Sequence, residues 1–375
     1  MAYWLENYIF CFVLSTILAG FIIPKILLIA FRRRLFDDVD ERKIHRGSVP
    51  RLGGIAFFPS LIFSFCVVTG FSLRFSYAEM GPALHDVIVP VFFLLCALIL
   101  MYVTGIADDL VGVRYRAKFL LQIGGAALIV MSGTWVGDLF GFVGIFKMPA
   151  WIGILFTGFF VVYVINALNL IDGIDGLATG LSAIALIFFS YVFISSGQYV
   201  YAMLTAAALG TLVPFFYYNV FGKAERHTKI FMGDTGSLTM GTILAFLSIT
   251  VTCIPRADLH FNFNPIVLAI APLMLPCLDV MRVFFHRMKR RKNPFLPDRC
   301  HIHHKLLALG LRQSVALVII LFADAALIML NIVTSPYLSC TLILLLDLVL
   351  WIVLNMVLTK LIRIRERKTG TKLYD

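Results

Sequence analysis

Carboxylate, amide and histidine side chains are gathered in a few short motifs that interrupt otherwise apolar sequence. Carboxylate and amide oxygens are ligands that Mg²⁺ prefers, and Arg, Lys and His side chains bind phosphate oxygens. Together these residue types predict a metal-dependent site for a phosphorylated substrate. The motifs are Asp108-Asp109, Asn166 to Ala178, Phe231 to Ser237, Pro297 to His304, and the basic loop Lys43 to Gly54.

The pair Asp108-Asp109 directly follows the apolar run 87–107. Two adjacent carboxylates at a membrane boundary repel each other unless they share a cation or a proton. The pair is therefore a candidate metal site in which one member acts as a base. The alternative is a solvated acidic loop, which suits Asp37-Asp38 because that loop is charged throughout.

The segment from Asn166 to Ala178 carries Asn166, Asn169, Asp172 and Asp175 at intervals of three residues, with a glycine after each acid. A repeated Asp-Gly pair exposes backbone and carboxylate together, which suits a cation or a ribose and phosphate. A plain turn with Asn caps and Gly terminators is the alternative. Such a turn does not need four acid or amide groups in ten residues.

Asp234 stands between two glycines, just before the apolar run 237–254. A hard oxygen ligand of this kind suits Mg²⁺, which keeps several waters and shares substrate phosphates. The alternative is an ordinary helix start, with Thr235 or Ser237 as the N-cap.

The late motif places Cys300 among Arg299, His301, His303 and His304. Cys beside three His could form a zinc site, but the other loops contain no spaced Cys or His pair to complete it. Donation to a pyrophosphate, or acid–base chemistry by a His, is the other interpretation. Both remain open from the residues alone.

The basic loop offers Lys43, His45, Arg46 and Arg51 as candidate ligands of substrate phosphate. The alternative is that these residues act only as topology signals. Within the apolar runs, Asp279 and Arg282 are three residues apart and are expected to pair on one helix face. Asp324 and Asp347 are further ionisable groups inside predicted spans.

Long apolar runs must position these motifs. Apolar residues form 60% of the chain and charged residues 14%, with a mean hydropathy of +0.93, whereas a soluble domain has about 25% charged residues. Runs of about 20 residues fit a hydrocarbon core roughly 30 Å thick, and they lack the two-residue alternation of a barrel. We predict an all-α integral membrane protein with one polytopic domain over 1–375. The eleven expected spans are 5–31, 53–72, 87–107, 117–134, 149–167, 177–196, 198–220, 237–254, 264–285, 313–333 and 337–360.

Charge divides the connecting loops into two sets. One set, with the C-terminal tail, holds most of the 32 Lys and Arg, while the opposite loops hold only Arg74, Lys147 and Arg256. By the positive-inside rule the N-terminus is outside and the C-terminus cytoplasmic. The net charge of +11 is thus a topology signal and implies no nucleic-acid partner. The active site is expected on the cytoplasmic loops 32–52, 108–118, 166–178, 219–237 and 286–312.

In this order, the motifs resemble those of the polyprenyl-phosphate N-acetylhexosamine-1-phosphate transferase family. The resemblance covers nearly the whole chain, from the Lys43 loop through His304. The form Pro-Asp-Arg-x-His-x-His-His resembles the branch that starts O-antigen, common antigen, capsule or teichoic acid synthesis. It implies transfer of N-acetylglucosamine 1-phosphate from UDP-N-acetylglucosamine to undecaprenyl phosphate in the bacterial cytoplasmic (inner) membrane. It also implies Mg²⁺, with Mn²⁺ as the alternative, and is compatible with a homodimer in the lipid bilayer.

Transferred to matching positions, the resemblance implies specific roles. The implied metal ligands are Asp234, Asp108 and Asp109, and the implied catalytic groups are Asp108, Asp109, Asp175 and His301. The implied substrate contacts are Lys43, His45, Arg46, Arg51, Asn166, Asn169, Asp172, Asn219, Arg299, His303 and His304. The stretch between Asn219 and Phe231 is longer than the family pattern, which makes the position of Asn219 a departure.

Two other functions compete with this interpretation. The first is the phospho-N-acetylmuramoyl-pentapeptide transferase of peptidoglycan synthesis, whose three His are consecutive, whereas Ile302 separates His301 from His303 here. The second is a secondary transporter. Transporters place their key groups near the bilayer midplane, often between inverted repeats, and neither feature is visible in this sequence.

Overall fold

The computed structural model describes residues 1–35, 49–259, 263–291, 300–370 and 374. Helices dominate it, because an apolar segment in lipid must satisfy its own backbone hydrogen bonds. A two-stranded antiparallel hairpin, β1 and β2, was not predicted. The elements are α1 (Ala2–Arg33), α2 (Phe57–Phe75), α3 (Tyr77–His85), α4 (Ile88–Val111), α5 (Tyr115–Met131), β1 (Asp138–Phe142), β2 (Ile145–Lys147), α6 (Ala150–Ile171), α7 (Leu177–Ser195), α8 (Tyr199–Phe216), α9 (Gly233–Cys253), α10 (Pro265–Ile270), α11 (Met274–Lys289), α12 (Ile302–Ala308), α13 (Gln313–Thr334) and α14 (Cys340–Thr369).

Ten helical segments in the described ranges are long and apolar enough to cross a membrane. The predicted fourth span corresponds to α5, whose 17 residues fall just short of the roughly 20 that a span needs. The outward faces of the helices expose large apolar side chains such as Phe92, Phe159 and Phe322. A polytopic membrane protein accounts for this surface, since lipid and not water then covers it.

Proline interrupts the predicted ninth span. Helix α10 ends at Ile270, a 3₁₀ turn follows at Ala271–Leu273, and α11 begins at Met274. Pro272 lies in this turn, where its ring prevents a continuous α-helix. The result is a long broken segment, Pro265–Lys289, whose last turns approach the His motif.

Helix α9 lies at the centre of the bundle, and nearly all of its residues from Thr235 to Val251 are buried. Glycines let neighbouring backbones approach its first turn. A Cβ on Gly105 of α4 would lie 2.3 Å from Thr235 Cα, and one on Gly54 would lie 2.0 Å from Gly236 N. Only glycine fits at such contacts. They hold the start of α9 against α4 and against residues 53–56.

The helix ends differ from the prediction at the motifs. Helix α4 continues through Asp108 and Asp109 to Val111, and α6 continues through Asn166 and Asn169 to Ile171. Helix α9 begins at Gly233, four residues before the predicted start. Asp108, Asp109, Asn169 and Asp234 are therefore carried on the last or first turns of helices, whereas Asp172 and Asp175 lie in the turn between α6 and α7.

Candidate active site

Asp109 caps α9 from a different helix. Its Oδ1 accepts a hydrogen bond from Asp234 N at 2.7 Å, and its Oδ2 accepts from Thr235 N at 2.9 Å and from Thr235 Oγ1 at 2.6 Å. These backbone N–H groups have no partner within the helix, and a carboxylate there is favoured by the helix dipole. Thr235 and Ser237 are consequently not the N-cap, and the first turn of α9 is positioned by α4.

A short backbone pairing holds the glycine-rich start of α9 against the segment after the basic loop. Phe231 N donates to Pro50 O at 2.9 Å, Gly53 N donates to Phe231 O at 3.0 Å, and Gly54 N donates to Met232 O at 2.9 Å. Gly233 follows with a φ of 71°, and a Cβ there would meet Arg51 O at 2.0 Å. Arg51 is thereby placed at the rim beside α9.

Asp108 and Asp234 converge on one ammonium group. Lys118 Nζ, on the first turn of α5, donates to Asp108 Oδ2 at 2.8 Å and also to Asp234 Oδ1. Asn169 Nδ2 donates to the same Asp234 oxygen at 2.5 Å and to Ser237 Oγ at 2.8 Å. Side-chain exposure is 14% for Asp108 and 28% for Asp234. The two partly buried carboxylates thus share the ammonium group of Lys118 as their counter-charge.

The Asp172–Asp175 turn lies next to this cluster. Asp175 Oδ2 accepts from Lys229 Nζ at 2.6 Å, and both side chains are largely buried. Asp172 is itself exposed, but the protein atoms around it exclude much of the water that would solvate its charge. This desolvation, with the charges of Asp175 and Asp234, raises the pKa of Asp172 to about 7, although the charge of Arg51 acts in the opposite direction.

Asn219 positions the turn that carries Asp175. It lies in a π-helical turn, Tyr217–Phe221, at the end of α8. Its Oδ1 accepts from Gly176 N at 2.6 Å, and its Nδ2 donates to Ile230 O at 2.8 Å. Asn219 is 5% exposed. These two bonds give Asn219 a positioning role in the structure, and its direct contact with substrate stays a prediction.

The three histidines of the late motif lie together at the start of α12, with His301 and His303 buried and His304 partly buried. The rings of His301 and His303 are parallel within 3°, with centroids 5.8 Å apart, and His304 follows at 4.2 Å from His303. Burial, with the charges of His304 and His301, lowers the pKa of His303 to about 3. This favours the neutral form of His303 in the structure, and its contact with substrate stays a prediction.

Gly173 joins the histidine stack to the carboxylate cluster. A Cβ on Gly173 would lie 2.1 Å from His303 Nε2, so the imidazole packs directly on the backbone of the Asp172–Asp175 turn. The structure thus brings together Asp108, Asp109, Asn169, Asp172, Asp175, Asp234, His301, His303 and His304. Asn166 is one turn deeper, where its Nδ2 donates to Gln122 Oε1 at 2.7 Å. Lys43, His45, Arg46 and Arg299 lie outside the described residues.

Sequence reasoning missed three polar groups of this site. Lys118 and Lys229 fall within the predicted active-site loops 108–118 and 219–237 but are not among the predicted site residues, and neither is Gln122 of the fourth span. A lysine and a glutamine inside an apolar run are themselves a signal, because ionisable and polar side chains are expensive in lipid. Their partners are too distant in the chain to be identified from spacing.

The carboxylates fit a metal that substrate phosphate helps to bind. Among the residues that the structure describes, no three His, Cys, Asp or Glu side chains converge closely enough to bind a metal by themselves. This disfavours a zinc site at Cys300, and Asp109 is engaged with α9. Mg²⁺ commonly uses one or two carboxylates with waters and substrate phosphates. Asp108 and Asp234, which already converge on a cation, match that pattern.

These features define a helical membrane protein with an acidic, lysine-balanced site at one end of its bundle. The chain belongs to glycosyl transferase family 4, whose model matches residues 91–252. An undecaprenyl-phosphate alpha-N-acetylglucosaminyl 1-phosphate transferase from Yersinia pestis is 30% identical over 307 residues, covering 81% of this chain and 78% of that relative. A protein from Bacillus subtilis (strain 168), named "Probable undecaprenyl-phosphate N-acetylglucosaminyl 1-phosphate transferase", is 31% identical over 82% of this chain and 80% of its own.

Proposed function

We propose that this protein transfers N-acetylglucosamine 1-phosphate from UDP-N-acetylglucosamine to undecaprenyl phosphate, releasing UMP. The observation that carries the proposal is the convergence of Asp108 and Asp234 on Lys118, beside the Asp172–Asp175 turn and the histidines. A reaction between a phosphate and a diphosphate needs charge neutralised on both sides. The names of the relatives supply the donor sugar and the lipid acceptor.

The site end of the bundle is proposed to face the cytoplasm of a bacterium, in its cytoplasmic membrane. Most Lys and Arg lie in the loops at this end, which the positive-inside rule places inside. The N-terminus is then outside and the C-terminus cytoplasmic. This topology requires α5 to cross as an eleventh span, which a local thinning of the bilayer permits. The lipid phosphate then meets the nucleotide at the membrane surface.

The proposed reaction is a direct displacement. A phosphate oxygen of undecaprenyl phosphate attacks the phosphorus bonded to the sugar, a new P–O bond forms, and the bond to the UMP oxygen breaks. The family resemblance assigns Asp108 to the side of the lipid phosphate, and in the structure its position is fixed by Val113 N, at 2.6 Å from Oδ1, and by Lys118 at Oδ2. Asp109 is assigned the task of positioning α9. The product is undecaprenyl-diphosphate-N-acetylglucosamine.

Mg²⁺ is the proposed cofactor, with Asp234 and Asp108 as the residues that would hold it. When bound, it would neutralise the diphosphate and polarise its phosphorus–oxygen bonds. Mn²⁺ prefers similar oxygen ligands. In this arrangement Asn169 orients Asp234, Lys118 balances the remaining negative charge, and Lys229 holds Asp175 in place.

The decisive experiment measures UMP release by purified protein with undecaprenyl phosphate, Mg²⁺ and a panel of UDP-sugars. We expect release with UDP-N-acetylglucosamine, and loss of that release in Asp234→Asn. The matched control is Asp258→Asn, an exposed Asp in the loop after α9, which should retain activity. The product would then initiate a surface polysaccharide.

Two outcomes would replace the proposal. Release only with UDP-N-acetylmuramoyl-pentapeptide would assign the chain to peptidoglycan synthesis. No release with any donor, from protein that unfolds cooperatively on heating, would favour a secondary transporter. Release with UDP-N-acetylgalactosamine in preference to UDP-N-acetylglucosamine would keep the reaction and change the sugar.

A further inference from the structure

Asp279 is a fully buried carboxylate on α11, with 0% of its surface exposed. Its Oδ2 lies 2.8 Å from His301 Nδ1, and its Oδ1 accepts from Arg282 Nη2 at 2.9 Å and from Ile302 N at 3.1 Å. A buried carboxylate requires such partners. Pairing with Arg282 on one helix face was expected. The contacts with His301 and Ile302, more than twenty residues away, were not expected.

These contacts determine which nitrogen of His301 carries a proton. A carboxylate is only an acceptor, so Nδ1 must be the protonated nitrogen of the neutral ring. Nε2 is then the nitrogen that remains for substrate. If the ring is protonated, Asp279 balances its charge while Nε2–H donates to a phosphate oxygen. A carboxylate that orients an imidazole in this way is a common partner of functional histidines.

His301 is connected to the carboxylate cluster through one further ring. Its imidazole stacks parallel on that of His303, and His303 packs on Gly173, beside Asp172. Arg282 also donates to Cys300 O, which holds the residue before His301. Asp279 and Arg282 of α11 therefore hold His301 through its own ring and through the backbone of the residues before and after it.

Building on the function proposed above, we infer that Asp279 is a positioning residue, which holds His301 as the Nδ1–H tautomer with Nε2 directed to the diphosphate or sugar of the donor. The other charged or titratable groups around this pair are Arg282, His303, Lys305, Tyr163, Cys277, Cys300 and Tyr374. None of these groups can replace Asp279 as the partner of His301 Nδ1, because Asp279 is the group that contacts this nitrogen among the described residues.

The test combines a tautomer measurement with a double-mutant cycle. ¹⁵N NMR of histidine-labelled protein, with His301→Gln to assign the signal, should report Nδ1–H at His301 in the native protein and its loss in Asp279→Asn. The same Asp279→Asn change should reduce kcat for UMP release by about 10- to 100-fold, the range for such orienting partners. In the His301→Gln background it should reduce kcat no further.

Asp347→Asn is the matched control, because Asp347 is equally buried, on α14, and is hydrogen-bonded to Asn331 at 2.9 Å. Its effect should multiply with that of His301→Gln, as for independent sites. An Asp279→Asn effect that also multiplies, or an Nδ1–H signal that survives the substitution, would overturn the inference while leaving the transferase function intact. Inactivity of the native protein would instead refute the proposed function, and the NMR result would still decide the tautomer.

Discussion

The carboxylate of Asp109 lies across the N-terminus of α9 and accepts a hydrogen bond from the backbone N–H of Asp234 at 2.7 Å. Its neighbour Asp108 instead faces Lys118. Two adjacent acids of one motif therefore have different tasks. Asp109 positions the helix that carries Asp234, and Asp108 shares a cation with Asp234.

Asp109→Ala should lower both stability and activity, whereas Asp108→Ala, which removes the partner of one backbone N–H and one of the two carboxylates that pair with Lys118, should lower activity with a smaller loss of stability. Loss of an N-cap costs about 0.5–2 kcal/mol, because the freed N–H groups at the start of α9 are left without partners. The measurement is thermal unfolding of each variant in detergent, together with UMP release. Equal melting temperatures for the two variants would contradict the division of roles.

Lys118→Ala should reduce kcat/KM for UMP release by about 10²-fold or more, the loss typical of removing a preorganised charge-stabilising group. The reason is that Asp108 and Asp234 would then face each other without their shared cation. Lys223→Ala is the control, since Lys223 is an exposed lysine after α8. Equal activity of the two variants would show that the shared ammonium has no part in the reaction.

Gly173→Ala should impair the enzyme although it adds only one methyl group. The new Cβ would lie 2.1 Å from His303 Nε2, so the His stack and the Asp172 turn must separate. We expect kcat/KM to fall by about tenfold or more, as small misplacements of a site do. Gly158→Ala, which has no atom within 4 Å of its Cβ position, should be close to native. An active Gly173→Ala would mean that this contact is dispensable.

The stability of the protein should depend on pH through Asp172. Its pKa is raised to about 7 in the folded protein, above the unfolded value of about 3.9. Between these values the folded state binds the extra proton, so Asp172 makes stability fall as pH rises from about 4 to about 7. Asp172→Asn removes this dependence. The melting temperature of the variant should exceed the native one at pH 8 and approach it at pH 4.5, measured without Mg²⁺. A difference independent of pH would contradict the raised pKa.

The sequence was sufficient to predict the helical membrane fold and most of the residues that meet at the site. Hydropathy identifies spans because lipid allows few other structures. Hydropathy did not predict correctly where the helices end. Asp108 and Asn169 were assigned to loops because they are polar, but each stays helical since a partner on another element, Lys118 or Asp234, satisfies it.

The partners of the site residues could not be derived from spacing. Lys118 and Asp234 are 116 residues apart, and Lys229 and Asp175 are 54 apart. Such contacts follow from how the helices pack, which depends on glycines such as Gly105 and Gly54 whose significance a single sequence does not reveal. The different roles of Asp108 and Asp109 could not be predicted for the same reason. The two residues differ only in their contacts with α5 and α9, which depend on how the helices pack.

The glycine contacts at the start of α9 also restrict how this helix can move relative to its neighbours. At Gly54 and Gly105 the backbone of α9 touches its neighbours with no side chain between them, so a sliding motion there would drive main-chain atoms into one another. Helix α12 contacts its neighbour α14 differently, through side chains, with Lys305 donating to Asn355 and Thr359. Side-chain contacts of this kind can exchange without backbone collision. The start of α9 is therefore the fixed reference of the site, and adjustments to a bound substrate fall to side chains and not to the backbone of α9.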